Sequence, residues 1–264
     1  YTAPTVNSAT SNSAIQDSAG NDAISLASSS VTNSSTADIT APVYSSSAVN
    51  TAGTILTLTY NEALNATTAA TTAFAVTVNT ISVVVNSVTV SGSTVQLALN
   101  SIVGTGQAVT IAYTAPTTDS STLNSAIQDT SGNDAVTISA RAITTNSSTV
   151  DLTPPTYSSA AINTAGTVLT LTYNEALNAT TATTSAFAVL VAGVSRSMSA
   201  VAVSGSTVRL TLASVVGVSQ VVTVAYTAPT SNGATSNNAV QDSAGNDAVS
   251  LAATSVTNST TADI

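Results

Sequence analysis

The chain of 264 residues contains no cysteine, histidine, tryptophan or lysine, and only 6% of its residues are charged. An ordinary soluble domain has about 25% charged residues. Without cysteine and histidine, the sequence excludes disulfides, thiol chemistry, Cys/His zinc sites and a Ser/His/Asp triad. The lack of lysine excludes Schiff-base chemistry and lysine–asparagine isopeptide crosslinks. The composition therefore excludes several classes of catalytic chemistry.

Positive charge and long apolar runs are also scarce. The only basic residues are Arg141, Arg196 and Arg209, and a phosphate-binding surface needs clustered cations, so a nucleic-acid partner is not expected. The most continuous apolar run, residues 186–194, is much shorter than the roughly 20 residues of a membrane span. We therefore expect no membrane insertion of this segment. Apolar residues nevertheless make up 43% of the chain, which is enough for a buried core.

The sequence is repetitive. The motif "YTAPT" begins at Tyr1, Tyr113 and Tyr226, and "LTLTYNEALNATTA" begins at Leu56 and Leu169, so the period is 112 or 113 residues. A unit of this size matches one β-sandwich domain rather than a short solenoid turn. Proline-containing linkers place the boundaries near residues 40 and 152. The chain thus divides into an N-terminal segment (1–39, the last third of a unit), a first repeat (40–151) and a second repeat (152–264).

Alternation of apolar and polar residues with a period of two predicts strands throughout both repeats. In the first repeat, for example, Leu56, Leu58 and Tyr60 share one face, and Thr57 and Thr59 share the other. About seven strands are expected there, at residues 43–50, 54–60, 72–78, 81–90, 94–99, 107–113 and 135–143. One short helical turn is expected after "NEALNATTA". Seven short strands in about 110 residues predict an all-β protein of tandem immunoglobulin-like β-sandwich repeats.

Acidic residues occupy recurrent positions. Of the twelve carboxylates only Asp119 lies outside four positions of the repeat. Those positions hold Asp17, Asp129 and Asp242; Asp22, Asp134 and Asp247; Asp38, Asp151 and Asp263; and Glu62 and Glu175. The first two positions belong to the motif "QDSAGNDA" and its variant "QDTSGNDA", which contain a Gly-Asn turn.

Chain reversal brings these positions together. The first strand leaves the linker and the second returns, so Glu62 should lie beside the linker that carries Asp38. The last strand runs toward the next linker, so the loop carrying Asp129 and Asp134 should lie at the same pole. Asp151, Glu175, Asp242 and Asp247 form the equivalent set.

Carboxylates held this close repel one another, by roughly 1 to 4 kcal/mol per pair at about 4 Å. Ca²⁺ takes 6 to 8 oxygen ligands and suits such a group, so all eleven recurrent carboxylates are candidate calcium ligands. The alternative is an Asx-type turn whose acids are simply solvated. A glycosidase pair of carboxylates is not favoured, because no aromatic residue stands near them to stack on a sugar.

With these motifs, "YTAPT", "QDSAGNDA", "LTLTYNEAL" and a proline-containing linker, the chain resembles the SWM-type repeat, a flagellar-system-associated repeat of giant bacterial, notably cyanobacterial, cell-surface proteins. The likeness covers essentially the whole chain. It implies a secreted, very long, non-enzymatic array on the cell exterior, linked to swimming motility, and it implies no catalytic residues.

Three functions remain open. The first is a structural fibre, filament or layer whose neighbouring repeats are clamped by calcium. The second is an adhesin that binds a glycan or another surface through loops that differ between repeats, such as residues 79–90 and 192–203. The third is self-assembly, in which a strand near residues 23–29 of the N-terminal segment completes a sheet in another copy of the chain.

Overall fold

The chain divides into two units, residues Tyr1–Thr40 and Ala41–Ile264. The computed structural model describes residues 1–5, 13–117, 125–229 and 238–264. All strands of these described residues lie in the second unit, and the helical elements are two 3-10 turns, Thr71–Ala73 and Thr184–Ala186. These turns confirm the short helical turn predicted after "NEALNATTA". Among the described residues, no helix has the length and apolar character needed to cross a membrane.

The unit Tyr1–Thr40 is held by a few hydrogen bonds rather than by sheet pairing. The amide of Leu26 donates to the carbonyl of Tyr1 at 2.9 Å, and the amide of Ala23 donates to the carbonyl of Ile15 at 2.7 Å. The predicted strand near residues 23–29 is not formed. A single extended segment has no neighbouring strand to pair with in the described part of this unit, so pairing of this segment with a sheet in another copy of the chain stays a prediction.

The first repeat folds into two sheets. Its strands are β1 (Tyr44–Val49), β2 (Ile55–Tyr60), β3 (Phe74–Val78), β4 (Ile81–Val83), β5 (Val85–Ser91), β6 (Thr94–Leu99), β7 (Val109–Tyr113), β8 (Ile138–Ala142) and β9 (Thr145–Asn146). One sheet has the order β5-β6-β2-β1-β9 and the other β4-β3-β7-β8. Apart from the short β9, which pairs in parallel with β1, neighbouring strands are antiparallel. This order is consistent with the two sheets of an immunoglobulin-like sandwich.

The second repeat has the same topology. Its strands are β10 (Tyr157–Ile162), β11 (Val168–Tyr173), β12 (Phe187–Val191), β13 (Val194–Arg196), β14 (Met198–Ser204), β15 (Thr207–Leu212), β16 (Val222–Tyr226) and β17 (Leu251–Asn258). Here β17 is continuous and pairs with β16 on one side and, in parallel, with β10 on the other. The two layers are therefore linked through one strand.

Each repeat has its own hydrophobic core, drawn from the inward faces of both layers. In the first repeat, Leu56, Leu58 and Leu97 of one sheet pack in one cluster with Val76 and Ile111 of the other. The equivalent residues form a second cluster in the second repeat. Register is fixed because a shift of one residue would expose these side chains and bury threonines. The predicted all-β repeat architecture is confirmed.

Two predicted strands differ from the structure. Residues 81–90 form not one strand but two, β4 and β5, which belong to different sheets; Val84 lies between them and is 60% exposed. The last strand begins at Ile138 and continues into β9 on the opposite sheet. In both places the chain passes from one layer to the other, and an apolar run does not reveal such a crossing because it looks the same in either sheet.

Candidate metal centre

The recurrent acidic loop is a tight hairpin. In the second repeat Gln241 pairs with Asp247, and the amide of Ala248 donates to the carbonyl of Val240 at 2.8 Å. The turn passes through Gly245, whose φ of 95° is a conformation that favours glycine. The glycine of "DSAGND" is therefore required by the backbone of the turn.

The first aspartate of the motif organises this turn from inside. The Oδ1 atom of Asp242 accepts hydrogen bonds from the amides of Gly245 at 2.7 Å and Asn246 at 2.8 Å. Its Oδ2 atom accepts a third from Nδ2 of Asn246 at 2.8 Å. The side chain is only 2% exposed. Three donors within six residues explain why aspartate, glycine and asparagine recur together in this motif.

Asp129 does the same work in the first repeat, where it accepts from the amides of Ser131 and Asn133 and from Nδ2 of Asn133. Burial acts to raise the pKa of Asp129, but the hydrogen bonds from Asn133 and Ser131 outweigh it, so the pKa lies below its usual value. The carboxylate is thus held in its charged form by the loop itself.

Backbone pairing brings the glutamate position to this loop. Strand β11 ends at Tyr173, and the chain then runs past Glu175 to Leu177, which pairs with Asp242. The amide of Asn178 donates to the carbonyl of Gln241 at 2.8 Å. The segment that carries Glu175 is therefore fixed beside the acidic loop.

The linker supplies the third carboxylate. Asp151 accepts hydrogen bonds at Oδ1 from the amide of Thr153 at 2.9 Å and from its hydroxyl at 2.6 Å. Its carbonyl accepts a bond of 3.2 Å from Nδ2 of Asn246, which ties the linker to the loop. One carboxylate oxygen from each of Asp151, Glu175 and Asp242 lies within 4.8 Å of the other two. We call these three residues the carboxylate triad.

The electrostatics of the triad disfavour three negative charges. Burial raises the pKa of Glu175, and the neighbouring carboxylates of Asp242 and Asp151 raise it further. Asp151 differs, because the hydrogen bonds from Thr153 lower its pKa. Glu175 is therefore the member that gains most from a cation, since the hairpin compensates the charge of Asp242 and the linker turn that of Asp151.

The triad offers only hard oxygen ligands. An ionised carboxylate has about four lone-pair positions, and the loop already uses two on Oδ1 and one on Oδ2 of Asp242. Asp242 therefore has one position left on Oδ2, while Glu175 and Asp151 can supply more. Oxygen donors of this kind suit Ca²⁺, with waters or carbonyls completing its shell.

The first repeat contains the corresponding pair, since a carboxylate oxygen of Glu62 lies within 4.8 Å of one of Asp129. Asp38 belongs to the unit Tyr1–Thr40, where its Oδ1 accepts from the amide and the hydroxyl of Thr40. Asp17 lies in the same unit and accepts from the amides of Ala19 and Asn21. Asp263 is exposed at the end of the second repeat.

The second aspartate of the motif lies outside the triad. Oδ1 of Asp247 accepts a hydrogen bond from Nε2 of Gln241, and Asp134 and Gln128 form the same pair in the first repeat. Asp22 pairs in this way with Gln16. The cross-strand glutamine holds the side chains of Asp134 and Asp247 on the second limb of the hairpin, apart from the grouped carboxylates, and their assignment as metal ligands stays a prediction.

One structural role was not recognised in the sequence. The hydroxyl of Tyr226 accepts a hydrogen bond of 2.9 Å from the amide of Val240, and the hydroxyl of Tyr113 accepts one of 3.0 Å from Ile127. The separation is 14 residues in both cases. This constant distance between the tyrosine of "YTAPT" and the residue before "QD" was the available signal. Residues 118–124 and 230–237, between these anchors, lie outside the described residues.

Comparison with known proteins gives a family and a distant structural likeness. No curated protein matches the chain in sequence. Among solved structures the chain is similar, at 14% identity, to the N-terminal part of the bacterial S-layer protein SbsC, with a TM-score of 0.32 over 82% of this chain and 44% of that one. It is also similar to the S-layer protein rSbsC(31-844), at 14% identity and a TM-score of 0.31 over 82% of this chain and 25% of that one.

A third structure, surface layer protein SbsC domains 1-6, gives 14% identity and a TM-score of 0.33 over 83% of this chain and 26% of that one. The chain spans less than half the length of each of these structures. The model of the flagellar system-associated repeat, or SWM repeat, matches residues 37–118 and again residues 150–231. Since these two matches cover more than half of the sequence, the chain belongs to the SWM repeat family.

Proposed function

We propose that the chain is a structural segment of a long, secreted bacterial surface protein, in which tandem sandwiches form an extended fibre or layer. Ca²⁺ stiffens the junctions between repeats. The observation that carries this proposal is the carboxylate triad, because it joins Asp151 of the linker to Glu175 and Asp242 of the following repeat. A cation held there would connect the linker to the second sandwich.

The architecture supports a scaffold role. Each repeat closes its own core, so its stability depends mainly on local contacts and an array can be extended by adding units. Membership of a family described as flagellar system-associated is consistent with an extracellular position at the bacterial surface. The chain has only three basic side chains and no histidine or cysteine, and this composition favours a non-catalytic protein.

Glu175, which lies outside both turns, favours a calcium site over a cluster of carboxylates that are simply solvated. The hydrogen bonds of the hairpin explain Asp242, and the linker turn explains Asp151. Neither explains why a glutamate follows β11 at a position where its neighbours raise its pKa. A divalent cation would offset this repulsion and would make all three carboxylates favourable together.

Calorimetric titration of the full chain with CaCl₂ tests the site. We expect binding by the wild type, loss of the junction site in Glu175→Gln and Asp151→Asn, and unchanged binding in the control Asp263→Asn, which alters an exposed acid outside the triad. Absence of binding heat would refute the calcium clamp and leave the scaffold proposal.

A second role, self-assembly by strand donation, is favoured by the exposure of apolar residues in the unit Tyr1–Thr40. Val31 is 89% exposed, whereas Val256, its counterpart in β17, is 8% exposed. Tyr1 is 42% exposed, and its counterpart Tyr226 is 1% exposed. Deletion of residues 1–39 should abolish self-association measured by analytical ultracentrifugation under this proposal. Unchanged association after the deletion would contradict it.

A further inference from the structure

The linker between the repeats presents successive side chains to opposite sides. Asp151 contributes its carboxylate to the triad on the second repeat. Leu152, the next residue, lies against Gly104 of the first repeat. Alternation of this kind is expected of extended backbone, in which consecutive side chains point to opposite faces. One dipeptide therefore contacts both repeats.

Gly104 provides space for this contact. A Cβ atom built on Gly104 would lie 3.0 Å from Cδ1 and 3.1 Å from Cγ of Leu152. The φ of Gly104 is not among the left-handed values that require glycine elsewhere in the chain. Close approach of Leu152, rather than backbone conformation, therefore explains the glycine at this position. We call the contact between Leu152 and Gly104 the aliphatic latch.

The position of Gly104 is fixed on both sides by hydrogen bonds. Its amide donates to Oε1 of Gln107 at 2.7 Å, and its carbonyl accepts from Nδ2 of Asn146 at 2.9 Å. Beside it, the amide of Thr105 donates to the carbonyl of Val150 at 2.8 Å. Hydrogen bonds therefore hold the receiving surface in place, and the linker approaches it as a hydrogen-bonded extended segment.

The same arrangement recurs at the end of the second repeat. A Cβ atom on Gly217 would lie 2.7 Å from Cγ1 of Ile264. The amide of Gly217 donates to Gln220, and its carbonyl accepts from Asn258. Leucine has become isoleucine, yet the glycine, the glutamine and the asparagine keep their roles. Because the contact occurs at the end of both repeats, we take it to be a specific feature of the repeat.

The linker is hydrogen-bonded to the first repeat as far as Val150 and to the second repeat from Asp151 onward. On the side of the first repeat, the amide of Thr149 donates to the carbonyl of Thr51 at 3.1 Å. On the side of the second repeat, Thr156 and Asn174 exchange hydrogen bonds of 2.7 and 3.0 Å. Only a few residues separate these attachments, and Pro155, which is buried, stands among them. Because Asp151 and Thr156, on either side of Leu152, are both bonded to the second repeat, movement of that repeat would act on the contact between Leu152 and Gly104.

We infer that the aliphatic latch fixes the orientation of the second repeat on the first, and that it does so without a bound cation. The interaction surface is the pole of each sandwich that carries this glycine, and its partner is the aliphatic residue that follows the linker aspartate. The calcium clamp acts on the other face of the same dipeptide and adds to an orientation that the latch has already set.

Distances between spin labels test this inference, and the absence of native cysteine allows labels at Cys residues introduced by Ser91→Cys and Ser204→Cys. Both serines are exposed, one in each repeat. In chelator, we expect a single narrow distance peak for the otherwise unchanged chain. Leu152→Ala and Gly104→Ala should lose that peak, while Gly217→Ala, the same change away from this junction, should retain it.

The outcomes separate the latch from the calcium clamp. A narrow peak that persists in Leu152→Ala would overturn the latch. A peak that is narrow only after Ca²⁺ is added would also overturn it and would support the clamp alone. Circular dichroism spectra of each variant establish that the sandwiches remain folded. Leu152→Ala serves this purpose well, because it removes atoms from a linker side chain that is 40% exposed rather than from a core.

Discussion

Removal of the hydroxyl of Tyr226 should destabilise the second repeat, because the amide of Val240 loses its hydrogen-bond acceptor. The side chain is 1% exposed, and its hydroxyl accepts the hydrogen bond from the amide of Val240, which is fully buried. Tyr226→Phe keeps the ring and creates little cavity, but it leaves a buried amide unpaired. An unsatisfied buried donor costs about 1 to 3 kcal/mol. A domain of this size loses roughly 4 °C or more in Tm per kcal/mol.

Tyr173→Phe is the matched control in the same repeat. Tyr173 is 4% exposed, and its hydroxyl, buried without a hydrogen-bond partner in the described part of the chain, has its pKa raised chiefly by burial. Because no bond is lost, removal of this hydroxyl should be neutral or slightly stabilising. Differential scanning calorimetry of the full chain should therefore show a lower second-repeat transition for Tyr226→Phe only. Equal shifts in the two variants would refute the anchoring role of Tyr226.

Two further predictions concern the turn glycines and the triad. Gly53→Ala should destabilise the first repeat by more than about 2 kcal/mol, because φ of Gly53 is +71° and the new Cβ would lie 2.2 Å from the carbonyl oxygen of Val103. Gly92→Ala should cost only about 1 to 2 kcal/mol, because φ of Gly92 is +58° but the new Cβ would enter open space. Urea unfolding measures both changes. Calcium affinity at the triad should fall as the pH is lowered toward the raised pKa of Glu175, because the cation must then displace a proton from this carboxylate. Calorimetric titrations at a series of pH values check this, and an affinity that does not change with pH would contradict it.

The sign of the Glu175 effect also fixes its contribution to stability. Its pKa is raised in the folded chain, so the folded state binds this proton more tightly than the unfolded state does. Without a cation, the charged carboxylate destabilises the fold above that pKa, and the penalty disappears as the pH falls through it. Asp129 acts in the opposite sense, because its lowered pKa stabilises the fold at neutral pH and this contribution is lost in acid.

The strands could be predicted from the sequence because a strand with one buried face has an apolar residue at every second position. Strand β6 was predicted at residues 94–99 and lies at Thr94–Leu99. The division of residues 81–90 between β4 and β5 could not be predicted in the same way. A crossing between layers depends on where the neighbouring sheet ends, and that edge is set by distant strands such as β3 and β6.

The triad was accessible to a topological argument because counting chain reversals gives the pole at which each loop lies. Asp151, Glu175 and Asp242 meet as that argument requires. The argument could not give side-chain direction, and it therefore included Asp247, which instead pairs with Gln241. Many residues lie at the same end of a sandwich, and the backbone geometry of the hairpin decides which of their side chains face one another.

The loop motif by itself does not require a cation. In the unit Tyr1–Thr40, Asp17 accepts bonds from the amides of Ala19 and Asn21 and from Nδ2 of Asn21, as Asp129 does in a complete repeat. The bonds from Asn21 lower the pKa of Asp17 although no core covers it. Recurrence of the motif is thus explained by its own turn. Evidence for calcium must come from a carboxylate that no turn needs, and Glu175 is that residue, so its replacement by glutamine discriminates between a clamp and a turn.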